Sequence, residues 1–305
     1  MSPSGRSGLD MTGTNPADTP QPGISVRFWG VRGSFTVADA RARRYGGNTA
    51  CVEVRLGEEV FVIDAGSGII GLGQELAREG HAFTNLLMSH LHHDHIAGLA
   101  FFEPLFHPGR TVRIHCGHLG GATAKAALDR MFDQPLFPLR LADLPGAIEH
   151  VGFKAGETLT FSSGTQVRTC RLDHPGGATA YRFDHAGRSL CYVSDVEHPT
   201  EGPDPDLAAF VAGADLVIYD TTYTEQEYEG HVGWGHSTWQ SGVALCKVAG
   251  AKALAAFHHH PFRDDAQLDA IEAELAEALP GSFVAREVQT LTLATPADYP
   301  YMIGV

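Results

Sequence analysis

Apolar positions along the chain alternate between the spacing of strands and the spacing of helices. The pattern predicts a strand at Ile24–Gly30 and two more at Thr49–Leu56 and Val60–Asp64, the last two joined by a Gly-Glu-Glu hairpin signal. Residues 69–80 carry apolar side chains at helical spacing and stop at a glycine, as helices often do. Asn85–Met88 is a short apolar run that predicts a buried strand.

The rest of the chain continues this mixture of strands and helices. Strands are predicted near 111–116, 148–153, 158–162, 165–172, 178–184, 189–194, 215–219, 252–257 and 283–294, and helices near 121–132, 205–212, 237–249 and 264–279. The Pro- and Leu-rich stretch 135–147 is expected to be irregular. Because no repeat or low-complexity linker divides residues 24–305, we expect one α/β domain of two packed sheets flanked by helices. Residues 1–23 are expected to form a disordered tail.

Composition narrows the class of protein. The chain has 305 residues, of which 43% are hydrophobic and 19% charged, so a sizeable core is expected. No apolar run is long enough to span a membrane, and the N-terminus lacks the apolar core of a signal peptide. The five cysteines are scattered and never form a CxxC pair, which argues against disulfides and thiolate zinc sites. These features predict a soluble, cytoplasmic protein, and a net charge of −14 disfavours general binding to nucleic acid.

Seventeen histidines direct attention to metal binding. The segment Ser89–His95 follows a predicted strand directly, so it lies at the end of a sheet. His90 and His92 stand two positions apart and project to one side of an extended segment, and Asp94 and His95 follow at once. Imidazole and carboxylate without thiolate suit zinc, manganese or iron. His93 is expected to be exposed or to support the ligands.

Other metal-competent residues follow later strands. His174 and Asp195 come directly after predicted strands, and His236 stands at the start of a predicted helix in Gly-His-Ser-Thr. His258 opens the run His258-His259-His260-Pro261, and the neighbouring histidines leave its register open. We prefer His258 because it has the His-x-x-Pro spacing. Sites on layered folds commonly lie where strands end.

The motif His90-x-His92-x-Asp94-His95, with the later His174, Asp195 and His258, resembles the metallo-β-lactamase superfamily from about residue 24 onward. The resemblance implies an αβ/βα four-layer sandwich of two mixed β-sheets flanked by helices. It also implies two divalent metal ions, with Zn²⁺ expected and Mn²⁺ or Fe as alternatives. One ion would be held by His90, His92 and His174, the other by Asp94, His95 and His258, with Asp195 bridging. Asp64 matches an aspartate that braces the histidine loop.

Gly235-His236-Ser237-Thr238 followed by His258-x-x-Pro261 is similar to the phosphodiesterase branch, which includes the tRNA 3′-processing endonucleases and small cyclic phosphodiesterases. This similarity implies that a metal-bridging hydroxide attacks phosphorus. His236 would bind the phosphoryl oxygen or protonate the leaving alkoxide. Asp220 stands where the endonucleases carry a glutamate that orients this histidine. His236, Asp94 and Asp220 are therefore the candidate catalytic residues.

A small or cyclic phosphodiester is the predicted substrate, and structured RNA is disfavoured. The endonucleases insert their tRNA-gripping arm between the counterparts of His174 and Asp195, which are only 21 positions apart here. His231 and Trp234, in the glycine-rich approach to His236, are candidate substrate contacts. The alternative is hydrolysis of a carboxylic ester, lactone or thioester on the same metals, with Tyr223 stabilising the oxyanion. A non-enzymatic metal-binding protein is a third interpretation. No role is assigned to Arg32, Asn48, His259 or His260, and a homodimer is left open.

Overall fold

The structure is a computed structural model that describes residues 23–119 and 121–294. The predicted tail lies outside this range except for Gly23, which is the first residue of a strand. Within the described residues, no helix is long and apolar enough to cross a membrane.

The strands form two seven-stranded sheets. The first sheet has the order β14-β1-β2-β3-β4-β5-β6. Its members are β1 (Gly23–Gly30), β2 (Cys51–Leu56), β3 (Glu59–Ile63), β4 (Phe83–Met88), β5 (Thr111–Cys116), β6 (Ala147–Gly152) and β14 (Thr290–Ala294). Strands β14 to β3 pair antiparallel, and β3 to β6 pair parallel.

The second sheet has the order β13-β12-β11-β10-β9-β8-β7. Its members are β7 (Thr158–Thr160), β8 (Gln166–Leu172), β9 (Ala178–His185), β10 (Arg188–Val193), β11 (Leu216–Asp220), β12 (Leu254–Phe257) and β13 (Phe283–Val284). Strands β10 to β13 are parallel, while β9 pairs antiparallel with both β8 and β10. The carboxyl ends of β8, β10, β11 and β12 therefore reach the same edge of the sheet.

The main core lies between the two sheets. Phe28 of the first sheet meets Phe257 of the second with ring centroids 6.1 Å apart, and Phe61 meets Phe183 at 5.4 Å. Burying these large apolar rings against each other is the main force that holds the sheets face to face.

The longer helices cover the outer faces of the two sheets. The α-helices of the described residues are α1 (Ile69–Glu79), α2 (His93–Ile96), α3 (Gly121–Met131), α4 (Pro205–Phe210), α5 (Glu225–Tyr228), α6 (Trp239–Ala249) and α7 (Asp265–Ala278). Helix α1 ends where Gly80 adopts a φ of 80° and donates its N–H to the Leu76 carbonyl. Apolar side chains of α1 pack on the first sheet, and those of α4, α6 and α7 pack on the second. This arrangement confirms the predicted four-layer sandwich of two mixed sheets.

Most predicted elements are present, with small shifts of their ends. The predicted strand near 158–162 ends at Thr160 because the chain turns before Gly164, which has a φ of 88°. The short helices α2 and α5 were not predicted. All five cysteines are free thiols, and four of them are buried.

Candidate metal centre

The histidine motif lies at the carboxyl end of β4, between the two sheets. His90 and His92 occupy the extended segment after this strand, and α2 begins at His93. The chain forms a single helical turn here, in which the His95 N–H donates to the His92 carbonyl at 3.0 Å. This turn points Asp94 and His95 back toward the first two histidines.

Four residues from the second sheet reach the same place. His174 follows β8 by two residues, Asp195 follows β10 by two, Asp220 ends β11, and His258 follows β12 directly. Because these strands run in one direction, their carboxyl ends bring side chains that are far apart in sequence to one edge.

His90, His92 and His174 form one group of potential ligands, with donor atoms within 4.8 Å of one another. His174 Nε2 lies 3.0 Å from His92 Nδ1, while the His174 Nδ1–H donates to the Gly235 carbonyl at 2.8 Å. The His90 Nε2 atom is buried and has no hydrogen-bond partner among the residues that the structure describes. A buried nitrogen without a partner is costly unless it binds something, so this atom fits a metal ligand.

Asp94, His95 and His258 form a second group. Asp94 Oδ2 lies 3.2 Å from His258 Nε2 and 3.5 Å from His95 Nε2. The two histidine nitrogens are themselves 3.2 Å apart. One carboxylate oxygen and two imidazole nitrogens that converge in this way are a suitable set for a divalent cation.

Asp195 lies between the two groups. Its Oδ1 atom is 3.8 Å from His90 Nε2, 4.0 Å from His174 Nε2 and 3.4 Å from His258 Nε2. Its Oδ2 atom is 3.1 Å from His95 Nε2. The carboxylate is thus in reach of histidines from both groups, as a bridging ligand would be.

The protonation of Asp195 and His90 suits metal binding. Burial would raise the pKa of Asp195, but the neighbouring His258, His95 and His90 hold that pKa well below its usual range. Burial and the nearby His95 lower the pKa of His90 well below its usual value. An ionised carboxylate and a neutral imidazole are the forms that bind a cation. Burial would lower the pKa of His95, but the carboxylates around it raise that pKa well above its usual value, so His95 must release a proton when it binds a cation. The residues therefore fit divalent metal ions.

Asp64 supports the histidine loop from behind, as the resemblance implies. It adopts a left-handed φ of 62° and accepts hydrogen bonds from the Ser89 N–H at 2.7 Å and from the Tyr192 hydroxyl at 2.7 Å. His95 Nδ1 lies 2.8 Å from the same carboxylate. This contact turns His95 Nε2 toward Asp94.

His236 lies beside the two groups of ligands, and Asp220 contacts it directly. Asp220 Oδ2 lies 2.8 Å from His236 Nδ1, so aspartate reaches this histidine without the extra methylene of glutamate. Asp195, Asp220, His236 and His258 also have donor atoms within 4.8 Å. Burial alone would lower the pKa of His236, but Asp220 and Asp195 raise it to about 9. The contact with Asp220 occupies Nδ1 and leaves Nε2 as the atom that can donate a proton.

The sequence analysis missed two hydroxyls that orient histidines. Ser89 Oγ lies 3.0 Å from His90 Nδ1, and Thr222 Oγ1 lies 3.0 Å from His258 Nδ1. Thr222 also lies 2.8 Å from Asp220 Oδ1. Ser89 could have been found because it directly precedes the motif, but Thr222 had no signal beyond its closeness to Asp220.

Arg32 and His259, which had no assigned role, have structural contacts. Arg32 is fully buried and donates to the carbonyls of Gly46 at 2.8 Å and Arg263 at 2.7 Å. His259 is buried and its Nε2–H donates to the Ala285 carbonyl at 2.8 Å.

Asn48 Oδ1 accepts a hydrogen bond from the Ser67 hydroxyl at 2.9 Å, which joins two loops near the site. His260 is half-buried, and His93 is exposed.

An aromatic rim lies beside His236. The ring of Tyr223 is 6.0 Å from that of His236 and is stacked on His231 at 4.4 Å. Trp234 meets His231 edge-on at 4.9 Å and is 60% exposed. His231 and Trp234 therefore lie on the side of the centre where His236 is found.

Comparison with known proteins agrees with this geometry. The sequence profile of the family described as "Beta-lactamase superfamily domain" matches residues 60–259. Ribonuclease BN from Cronobacter sakazakii is 26% identical over 165 residues, which is 50% of each chain. Ribonuclease Z from Haloarcula marismortui is 21% identical over 314 residues, covering 87% of this chain and 94% of the relative.

Several solved structures share the fold. The metallo-β-lactamase fold protein YhfI from Bacillus subtilis has a TM-score of 0.67 and 18% identity, covering 88% of this chain and 99% of its own. A diphosphatase of the PhnP family has a TM-score of 0.65 and 18% identity, covering 89% and 98%. Zinc-bound PqqB from Methylobacterium extorquens has a TM-score of 0.60 and 19% identity, covering 88% and 100%.

Proposed function

The chain belongs to the metallo-β-lactamase superfamily, and from this premise we propose that it is a binuclear metal-dependent phosphodiesterase that acts on a small or cyclic phosphodiester. His90, His92 and His174 would hold one cation, and Asp94, His95 and His258 the other, with Asp195 between them. Zinc is the expected metal, which is supported by the histidine and carboxylate donors and by the zinc in the similar fold of PqqB.

The contact between His236 and Asp220 is the main observation that supports this proposal. The Nδ1 atom of His236 is 2.8 Å from Asp220, and its ring lies 5.0 Å from that of His258 and 5.6 Å from that of His174. A protonated imidazole at this position can donate to a phosphoryl oxygen or to a leaving oxygen. Asp220 sets the tautomer and orientation of the ring, and so acts as a positioning residue.

The proposed reaction is the hydrolysis of one P–O ester bond. The oxygen of water forms a bond to phosphorus and releases one proton to solvent, and the bond from phosphorus to the leaving oxygen breaks. His236 delivers a proton to the leaving alkoxide. The products are a phosphomonoester and an alcohol, which remain one molecule when the substrate is cyclic. Bound divalent cations would supply positive charge for the phosphoryl oxygens and lower the pKa of the attacking water.

The short segment between His174 and Asp195 in the second sheet favours a small substrate over a large one. The segment between His174 and Asp195 consists mainly of strands β9 and β10, which are joined by a turn of two residues. It has no room for a protruding RNA-binding arm. The curated relatives are named ribonucleases, so RNA is the main competing substrate. The aromatic rim of Tyr223, His231 and Trp234 fits a planar organic group attached to the phosphodiester.

A comparison of substrates tests the proposal. Metal-loaded protein should hydrolyse bis-p-nitrophenyl phosphate and should leave lactones and thioesters intact. His236→Ala should lower turnover roughly 10²- to 10⁴-fold while the metal content stays the same, because a general acid contributes about that much. His185→Ala, in the hairpin between β9 and β10, is the matched control and should change neither quantity. Turnover of a lactone without turnover of the phosphodiester would overturn the proposal in favour of ester hydrolysis with Tyr223.

A further inference from the structure

A cavity lies next to the candidate metal centre, and two of its lining side chains are cationic. Its volume is about 270 Å³, and the residues around it are Gly117, His118, Phe153, Lys154, Ala155 and Arg171. None of these residues belongs to the proposed groups of metal ligands or to the aromatic rim.

Arg171 and Lys154 are exposed cations that lack a partner. Within residues 23–119 and 121–294, neither of them has an ion pair or a side-chain hydrogen bond. Arg168, three residues earlier on the same strand as Arg171, illustrates the contrast, because it pairs with Asp184 at 2.8 Å. In a chain with a net charge of −14, two unpaired cations in one cavity are available for an anion.

The cavity borders the His90, His92 and His174 group. The ring of His118 lies 6.3 Å from that of His90. A Cβ atom placed on Gly177, three residues after His174, would lie 3.9 Å from His118 Cβ and 4.0 Å from Arg171 Nη2. One imidazole ring therefore separates the cationic cavity from the nearest metal ligand. A group bound in the cavity and a phosphodiester at the metals can belong to the same small molecule.

We propose that Arg171 and Lys154 bind a second phosphoryl group of the substrate, while the scissile phosphodiester lies at the metal centre. This inference rests on the proposed phosphodiesterase function. The guanidinium of Arg171 can contact two phosphate oxygens at once, and the Lys154 ammonium adds a point charge. The substrate class is then a phosphodiester that also carries a terminal phosphomonoester, whose charge of about −2 at neutral pH favours this cavity over neutral substituents.

The experiment compares two substrates that differ by one phosphate. These are adenosine 2′,3′-cyclic phosphate and the same molecule with a 5′-phosphate, each given to the full-length, metal-loaded protein. The wild type should have a kcat/KM roughly 10- to 100-fold higher for the phosphorylated substrate, since hydrogen bonds between charged groups contribute about this much. Arg171→Ala and Lys154→Ala should each remove most of this preference, mainly by raising KM.

Two controls accompany this comparison. Arg168→Ala, on the same strand but paired with Asp184, should keep the preference. All variants should hydrolyse bis-p-nitrophenyl phosphate like the wild type, because that substrate has no second phosphate. If the wild type hydrolyses both adenosine substrates equally well, the subsite is wrong and the phosphodiesterase function stands. If no phosphodiester is hydrolysed, both proposals fail. If the variants impair cleavage of an oligoribonucleotide but not of the phosphorylated nucleotide, Arg171 and Lys154 bind an RNA backbone. The inference is then overturned.

Discussion

The two sheets contribute to the metal centre in different ways. The first sheet supplies its candidate ligands from one continuous segment, His90 to His95, after β4. The second supplies single residues from the ends of separate strands, between His174 and His258. The geometry of the first set depends on local backbone conformation, while that of the second depends on the register of the strands.

Each sheet supports its histidines with the same pair of groups. Behind the first set, Asp64 and Ser89 hold His95 and His90. Behind the second, Asp220 and Thr222 hold His236 and His258. A carboxylate and a hydroxyl thus orient the imidazoles on both sides.

Asp195 lies within 4.0 Å of histidines from both proposed ligand groups, whereas Asp94 contacts only the histidines of its own group. Removal of Asp195 should therefore have the largest effect. Asp195→Ala should lower the metal content of both positions and reduce turnover more than His236→Ala does. The reason is that buried, converging histidines lose the negative charge that stabilises two cations. Metal analysis after dialysis measures this change.

Asp184→Ala, which removes a carboxylate from the exposed end of β9, is the control and should retain both metals. One full equivalent of tightly bound metal in Asp195→Ala would contradict the expected bridging position.

Variants of the adjacent residues His258 and His259 distinguish a role in metal binding from a role in stability. His258→Ala should lose metal, because His258 Nε2 faces Asp94 and Asp195. His259→Ala should keep metal but lower the free energy of unfolding by about 1–3 kcal/mol, because the buried Ala285 carbonyl loses its donor. Metal content and urea denaturation of the two variants distinguish these effects. The reverse result would mean that the register of the histidine run after β12 is shifted by one residue.

The sequence predicted the two parts of the centre unequally well. The motif from His90 to His95 is local and could be read from its spacing alone, and the strands that carry the other ligands were predicted from their apolar runs. His174, Asp195 and His258 were candidates because they follow predicted strands, but their assignment to one metal or the other came only from a resemblance. No local pattern says which strand ends meet. Thr222 and the cavity of Arg171 and Lys154 were not predicted, since side chains from separate elements meet there only after the sheets pack.

The supporting hydroxyls should have the smallest and most selective effects. Ser89→Ala removes the group 3.0 Å from His90 Nδ1, and Thr222→Val removes the one 3.0 Å from His258 Nδ1. Each change should weaken the binding of one metal by roughly 10- to 100-fold, as is typical of residues that orient metal ligands. Stepwise zinc titration against a chelator should show that Ser89→Ala mainly affects one of the two binding steps and Thr222→Val the other, while Ser163→Ala, in an exposed turn, affects neither. If both variants weaken both steps equally, the two sheets do not support separate metals, and the centre behaves as one coupled unit.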